Sequence, residues 1–431
     1  MAAPSTLAQT TALMYERVRS KISLLYPRES TFGDIIERIE NDLVSSRAMR
    51  LPVQMFAGSQ HAQTTFAGSD LGVGTATNYQ VFQTTPIGFV QATSWSLDSQ
   101  FTTESGEQAV DSFVKRELKN ALAEFACYQD VVAQGDSSGT IDSVLATASS
   151  PNILYVNNPS KFRDNGLYLV FSALGGTNRG TVQVLSVDAL AGALYIGTGG
   201  TVTFGNIIAG DLLLINGAPG TSTNTSINGL AYIQADPGNT GTYAGLTRSS
   251  FPGKLRTPHV AANGAALTAE MGRTAIQKMR LRNGAESDAD FTWYMGLDQE
   301  QNVEAISLQT QSVIINQVTG SNSVDPIKYD APKTFVGRKM KVSATATPGR
   351  IDGIQTNHWV KSSVLPGGGD PQVLAWSGVS EWPMYGASGG LAAATLTYLI
   401  NFWQMISDNP AAGVYVDGLP IPSALPLGVN N

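Results

Sequence analysis

The feature that most constrains this chain is a stretch, from Leu51 to Val114, that contains no Lys or Arg. It is rich in Gln, Thr, Ser and Gly, and two extended segments, about 51–66 and 79–97, flank a turn-rich run at 67–74. Such polar strands bury little apolar area, and an isolated two-stranded ribbon is marginally stable in water. We therefore expect a long β-hairpin whose stability comes from the surface on which it lies.

The composition of the whole chain also points to association. The 431 residues are enough for two or three domains. Only 14% of the residues are charged, against roughly 25% in an average soluble protein. A surface with so few charges is poorly protected from association, so we expect burial against other subunits. The formal charge of −7 argues against a general nucleic-acid binder, which usually carries a basic excess.

The single cysteine, Cys127, excludes a disulfide framework within the chain and a cysteine-based metal site, and it fits folding in a reducing cytoplasm. We interpret it as a small apolar residue of the helix that contains it. The N-terminus lacks the charged-then-apolar pattern of a signal peptide. The most apolar stretch, Leu391–Ile406, is interrupted by polar side chains and falls short of the roughly 18 apolar residues that suggest a membrane span.

Helical periodicity is present in three parts of the chain. It marks two short helices in 1–50, a long amphipathic helix at 106–133 and a further helix near 267–283. An apolar strand is predicted directly after the last helix, at Phe291–Met295. The chain therefore mixes helices and strands rather than belonging to one class.

Residues 140–260 are predicted to be rich in β-structure. Short apolar runs at near-regular spacing favour a small sandwich or barrel, and these runs are Ile153–Val156, Leu167–Phe171, Thr181–Val187, Ala193–Ile196 and Asp211–Ile215. Near the C-terminus, Ala394–Ile406 and Ala411–Leu419 are predicted to be strands separated by Asn409 and Pro410.

Catalytic motifs are scarce in the sequence. The three histidines, His61, His259 and His358, are isolated from one another and from any metal-ligand spacing. Gly386–Gly390 matches the G-x-S-x-G pattern of serine hydrolases around Ser388, but that fold needs its histidine after the serine, and none follows His358. We interpret the match as a tight turn, with a hydrolase centred on Ser388 as a remote alternative. We expect no catalytic residue, cofactor or metal.

The order of these parts resembles the major capsid protein of tailed bacteriophages, which has the Hong Kong 97-type fold. No single motif is specific, but four local matches carry the resemblance in the right order. They are Thr65–Asp70 for the turn of the E-loop, Glu107–Gln134 for the spine helix, Leu267–Asn283 with Phe291–Met295 for the axial domain, and Asn409–Val416 for the closing peripheral strands.

The resemblance implies an α+β fold of the Hong Kong 97 type with an inserted β-rich domain. Its implied parts are an N-terminal arm at 1–50, an E-loop at 51–104, the spine helix of the peripheral domain at 105–139, the inserted β-rich domain at 140–260, the axial domain at 261–393, and closing peripheral-domain strands with the C-terminal tail at 394–431.

The resemblance also implies a shell protein that self-assembles into pentamers and hexamers around packaged double-stranded DNA, located in the virion after assembly in the bacterial host cytoplasm. The implied partners are further copies of the chain, a separate scaffolding protein and a portal, with a decoration protein left open. The E-loop segment contains no Lys, so we expect non-covalent contacts. An encapsulin-like compartment shell remains an alternative with the same fold, and the long helix argues against a tail or baseplate β-protein.

Two groups of side chains are the candidate functional residues. We expect inter-subunit contacts from side chains of the E-loop segment, namely Phe66, Asp70, Tyr79, Phe82, Phe89 and Trp95. We expect DNA-facing charge from the arm, namely Arg17, Arg19 and Lys21, although Glu16 and Glu29 dilute it.

Overall fold

A computed structural model gives the fold of the chain. It describes residues 31–33, 35–40, 44–45, 48–58, 75–98, 113–149, 152–220, 225–235, 238, 240–284, 290–306, 334–363, 372–373, 382–385 and 391–421. The two helices predicted within 1–50 fall mostly outside these residues, as does the turn predicted at 67–74.

Strands dominate the described residues. In chain order they are β1 Glu37–Glu40, β2 Val44–Ser45, β3 Ala48–Phe56, β4 Asn78–Thr84, β5 Ile87–Ser96, β6 Thr140–Ser149, β7 Asn152–Val156, β8 Leu167–Phe171, β9 Asn178–Asp188, β10 Ala193–Ile196, β11 Leu212–Ile215, β12 Thr242–Tyr243, β13 Leu246–Thr247, β14 His259–Ala261, β15 Phe291–Met295, β16 Thr334–Phe335, β17 Arg338–Val342, β18 Ile351–Gln355, β19 Trp359–Ser363, β20 Gln372–Val373, β21 Trp382–Tyr385, β22 Leu391–Ser407 and β23 Val414–Asp417.

The helices are fewer. They are α1 Phe113–Ala133, α2 Leu230–Ile233, α3 Pro252–Leu255, α4 Ala269–Asn283 and α5 at 297–306. Single 3₁₀ turns lie at Pro159–Lys161, Phe204–Asn206, Arg248–Ser250, Thr356–His358 and Pro410–Ala412. Among the described residues, no helix is both long and apolar enough to cross a membrane.

The first sheet is built around β22. Strand β5 pairs antiparallel with it from Ser96 to Ile87, β19 pairs with its C-terminal end, and β1 joins β19 in parallel. The long helix α1 packs on this sheet, where Phe89 of β5 contacts Tyr128 with 6.2 Å between ring centroids. Helix α1 ends before Gly135, as the sequence predicts, and its Cys127 is buried, as an apolar role requires.

The second sheet has the strand order β14-β23-β18-β15-β17-β16. Helix α4 covers one face, because buried residues recur along it at helical spacing, namely Gly272, Ala275, Ile276 and Met279. The side chain of Thr268 caps its N-terminus by accepting from Met271 N, and Gly284 ends it with φ of 103°. The predicted helix near 267–283 and strand Phe291–Met295 are both confirmed.

Two strands belong to other sheets than the sequence suggests. Strand β23 was expected among the closing peripheral strands but pairs with β14 and β18 in the second sheet, while β19, from the predicted axial segment, pairs with β22 in the first. Strand β23 is buried on both faces, so its pattern of apolar residues does not indicate which sheet it joins.

The predicted β-rich insertion contains a closed barrel with the strand order β10-β7-β6-β11-β8-β9. All five apolar runs predicted there are strands of this barrel, and alternate residues fill its interior, among them Leu154, Val170, Val184, Leu194 and Leu213. Strand β6 was not predicted because it is rich in small and polar residues. The last strand of the barrel ends at Ile215, and β14, at the end of the predicted insertion, pairs with β23 in the second sheet.

Strands β3 and β4 form a ribbon and pair in antiparallel orientation. The pair Met49 and Thr84 marks the end of the ribbon that is called its root below. The sequence predicts one extended segment at 79–97, but the structure divides it into β4 and β5 at Thr85 and Pro86. Proline has no N–H to donate to a ladder, which accounts for the break. The two-residue strand β2 pairs with β3, so the ribbon belongs to a three-stranded sheet separate from the first sheet.

Candidate assembly surface

The ribbon has two different faces because side chains alternate along its strands. Met49, Met55 and Phe82 point inward and are buried. On the other face Tyr79 is 67% exposed and Val81 is 49% exposed. The outer face exposes these side chains and Phe56 beside the polar Arg50, Gln54 and Gln83, and nothing in the described chain covers it.

The inner face of the ribbon is fixed at its root. The ring of Phe82 packs edge-on against Tyr243, with 5.3 Å between centroids. The hydroxyl of Tyr243 donates to the carbonyl oxygen of Ser407 and accepts from the Ser407 N–H, each at 2.8 Å. The N–H of Gln83 donates to the carbonyl of Ala244 at 2.9 Å. These contacts hold the root against the end of β22 while the outer face stays exposed.

Tyr243 is also part of a buried aromatic and cationic cluster. The Arg248 guanidinium lies 4.9 Å from the ring centroid of Tyr243 and 5.4 Å from that of Tyr232. It donates to the carbonyls of Leu255 and Tyr232. Burial raises the pKa of the Tyr243 phenol, although its hydrogen bond with Ser407 and the Arg248 charge act in the opposite direction. Tyr243 therefore stays a neutral hydrogen-bonding group.

The face of the first sheet opposite α1 carries a second exposed apolar surface. Val90 is 60% exposed, and its neighbour across the ladder is Ile400. Phe402 is 39% exposed and lies across Gly88, where a Cβ would come within 2.5 Å of its ring. We call the residues of this surface, Val90, Ala92, Tyr398, Ile400 and Phe402, the sheet face. Such uncovered apolar patches mark interaction surfaces.

The structure separates the six predicted contact residues into three groups. Tyr79 lies on the exposed face of the ribbon, whereas Phe82, Phe89 and Trp95 are buried at 8% exposure or less. These three rings pack within their own subunit in the described structure. Phe66 and Asp70 lie outside the described residues, as do the DNA-facing candidates Arg17, Arg19 and Lys21.

Several surface residues were missed by the sequence reasoning, namely Phe56, Val81, Val90 and Phe402. The signal was available for the ribbon and β5: once Phe82 and Phe89 are taken as buried, period-2 alternation places Val81 and Val90 outward. No such signal existed for Phe402, because its neighbours in β22 with polar side chains, Asn401 and Gln404, are buried while Phe402 is exposed.

Chemistry-bearing groups are paired or dispersed in the described residues. His259 lies 2.7 Å from Asp417, and His358 lies 2.6 Å from Asp408. No group of three or more His, Cys, Asp or Glu side chains there could hold a metal ion. A cavity of about 290 Å³ at the ribbon root is lined by neutral groups such as Gln83, Asn228 and Gln404. Ser388 and His61 lie outside the described residues.

Two solved capsid structures are similar to this chain. The cyanophage A-1(L) capsid asymmetric unit matches with a TM-score of 0.55 and 11% identity, over 93% of this chain and 96% of that chain. The capsid of the native GTA particle matches with a TM-score of 0.49 and 10% identity, over 97% and 96%. The first likeness shows the fold and confirms the predicted α+β capsid fold. No protein-family model and no curated protein matches the sequence.

Proposed function

We propose that this chain is the major capsid protein of a tailed bacteriophage, a structural shell protein without catalytic activity. The observation that carries the proposal is the ribbon, whose apolar outer face is left uncovered in a chain with the capsid fold. A β-ribbon this small is marginally stable by itself, and we infer that a neighbouring subunit covers the apolar side chains exposed on its outer face.

The sheet face is the surface on which we place the ribbon of the next copy. Both surfaces are apolar and exposed, with Tyr79 and Val81 on one and Val90 and Phe402 on the other. Two different patches on one chain give a heterologous contact, which generates closed rings when the rotation closes. Repetition of this contact leads to pentamers and hexamers, and many modest contacts sum to a stable shell.

The proposed shell encloses double-stranded DNA without binding its sequence. The formal charge of −7 supports enclosure without tight adhesion, because a wall with a basic excess would bind phosphate strongly. Assembly in the bacterial host cytoplasm, location in the virion, a separate scaffolding protein and a portal complete the proposal, with a decoration protein left open. The lack of Lys in the E-loop segment supports contacts that are non-covalent.

The proposal is tested by electron microscopy and sizing of the purified chain. We expect ring-shaped capsomers or closed shells for the wild-type protein. Tyr79→Ser with Val81→Ser should raise the subunit concentration needed for assembly at least about tenfold, because two apolar side chains are lost from the contact. Leu190→Ser is the matched control, since Leu190 is 74% exposed on the barrel, away from the ribbon. A wild-type chain that stays monomeric at high concentration would refute the proposal.

An encapsulin-like compartment shell is the alternative with the same fold. It predicts the same ribbon contact, but its shells are small and need no scaffolding protein. Small closed shells that form from the chain alone would favour the compartment, whereas large shells that need a second protein would favour the phage head.

A further inference from the structure

One segment of this chain has a large excess of cations over carboxylates. Seven of its Lys and Arg residues lie between 248 and 282, where Glu270 is the only carboxylate, although the whole chain has a formal charge of −7. The segment forms α3, α4 and the loop between them. Separation of the two signs of charge along one chain indicates complementary surfaces.

Six of these seven cations are exposed or half-buried, and only Arg248 is buried. Arg273 and Lys278 are exposed on the solvent face of α4, and Lys254 is exposed on α3. Arg282, at the end of α4, donates to the carbonyl oxygen of Arg256 and so joins α4 to the loop after α3. We call Lys254, Arg256, Arg273, Lys278 and Arg282 the basic face.

The charges of the basic face are not neutralised by the described residues. No ion pair joins any of the five cations to a carboxylate that the structure describes. Burial and the adjacent Arg256 charge lower the pKa of Arg282, which is the sign of like charges held close together. Lys278 donates to a neutral acceptor, the backbone carbonyl of His259. An anionic partner would relieve this repulsion.

An exposed leucine distinguishes a protein partner from nucleic acid. Leu281 lies among the cations between Arg280 and Arg282 and is 86% exposed, the highest value among the large hydrophobic residues that are exposed. A phosphate backbone offers no apolar surface for Leu281. A peptide that carries carboxylates and an apolar side chain can bind both the cations and the leucine.

The chain itself contains a segment of that chemistry. Residues 98–111 carry four carboxylates, no Lys or Arg, and one large apolar side chain, Phe101. The segment leaves the end of β5 and leads to the start of α1, which both belong to the first sheet, whereas the basic face belongs to the helix layer of the second. We propose that the basic face of one copy binds the acidic segment 98–111 of a second copy. This inference rests on the proposed assembly.

A charge exchange tests the contact. Arg273→Glu with Lys278→Glu reverses the basic face, and Glu104→Lys with Glu107→Lys reverses the acidic segment. Like charges placed in contact oppose association, so each reversal should raise the subunit concentration needed for assembly about tenfold. The chain with all four changes should assemble within about threefold of wild type, since the attraction is restored with opposite sign. Lys339→Glu with Lys341→Glu, at exposed positions on β17, is the matched control.

Some results would overturn this contact alone, and another would overturn the proposed function as well. If the wild type forms shells but the charge reversals do not weaken assembly, this contact alone is excluded. The same holds if the variant with all four changes does not recover assembly. A lower melting temperature of unassembled reversed subunits, restored in the fourfold variant, places the contact within one copy. Loss of duplex-DNA binding with unchanged assembly identifies a nucleic-acid surface instead. Wild-type chains that stay monomeric, forming neither capsomers nor shells, refute the assembly and this contact together.

Discussion

The side-chain amide of Asn158 donates a 2.8 Å hydrogen bond to the backbone carbonyl of Ala346. The same nitrogen donates to the carbonyl of Ala344 at 3.0 Å, and Asn158 is only 2% exposed. Asn158 belongs to the barrel, and the two alanines belong to the turn between β17 and β18. One amide therefore links the inserted barrel to the second sheet.

A second hydrogen bond reaches the same turn from α1. The side chain of Gln134 donates to the hydroxyl of Thr345 at 3.0 Å, and both residues are buried. Asp130, one turn earlier, accepts from the N–H of Gly33 at 2.7 Å. The barrel, α1, the second sheet and the segment before β1 thus meet in one buried polar network, and such networks fix a single arrangement when their members are satisfied.

Asn158→Ala should destabilise the unassembled subunit by about 3 kcal/mol, because the buried carbonyl of Ala346 and the partly buried carbonyl of Ala344 each lose a hydrogen bond. Chemical unfolding of the subunit below its assembly concentration measures the change. Asn157→Ala is the control, since Asn157 is exposed and bonds only within the barrel, to Asp142 and Ser143. Equal effects of the two substitutions would contradict a linking role for Asn158.

Tyr243→Phe should loosen the ribbon while leaving the ring packed against Phe82. The substitution removes the hydroxyl that bonds both backbone groups of Ser407, at a cost of about 1–2 kcal/mol. Hydrogen exchange in β4 should accelerate more than exchange in the barrel, because the root of the ribbon depends on Tyr243. Tyr195→Phe, in barrel strand β10, is the control, and uniform acceleration in both variants would argue against a local role.

The sequence predicts the order of elements better than their partners. The five apolar runs of the barrel, helix α4 and strand β15 follow from local periodicity, which depends on residues close together in sequence. The sheet that β23 joins does not follow from local periodicity. A strand that is buried on both faces has no polar side that shows how it is oriented. The burial of Phe82 and Phe89 does not follow from the sequence for a related reason. Both rings lie in a polar segment, and only their packing against Tyr243 and α1 shows that they point inward.

Alkaline pH should destabilise the subunit above about pH 10. Burial raises the pKa of Tyr168 to about 12 and also raises the pKa of Tyr128 and Tyr243. The unfolded chain releases these protons near the ordinary tyrosine pKa of about 10, so it binds fewer protons than the folded chain above that pH. The stabilisation is complete below pH 10 and declines as the pH rises towards the raised pKa values.

Unfolding free energies measured between pH 8 and pH 11 test this dependence. The slope above pH 10 should be smaller in Tyr243→Phe, because one of the protons that link stability to pH is absent. Tyr79→Phe is the matched control, since Tyr79 is 67% exposed. A slope that is identical in all three proteins would show that Tyr243 does not contribute to it.

Tyr79 and Phe402 should be coupled only in the assembled state. If the ribbon of one copy lies on the sheet face of the next, Tyr79→Ser and Phe402→Ser remove two sides of one contact, and their effects on the assembly concentration should not add. The increase in assembly concentration for the double variant should be smaller than the product of the two single increases, by a factor of about three or more.

The free energies of unfolding of unassembled subunits should change additively, because the two side chains belong to different exposed faces of one copy. Tyr79→Ser with Leu190→Ser is the matched pair, which should be additive in both measurements. Additive effects of Tyr79 and Phe402 on assembly would place the ribbon on another surface of the neighbouring subunit.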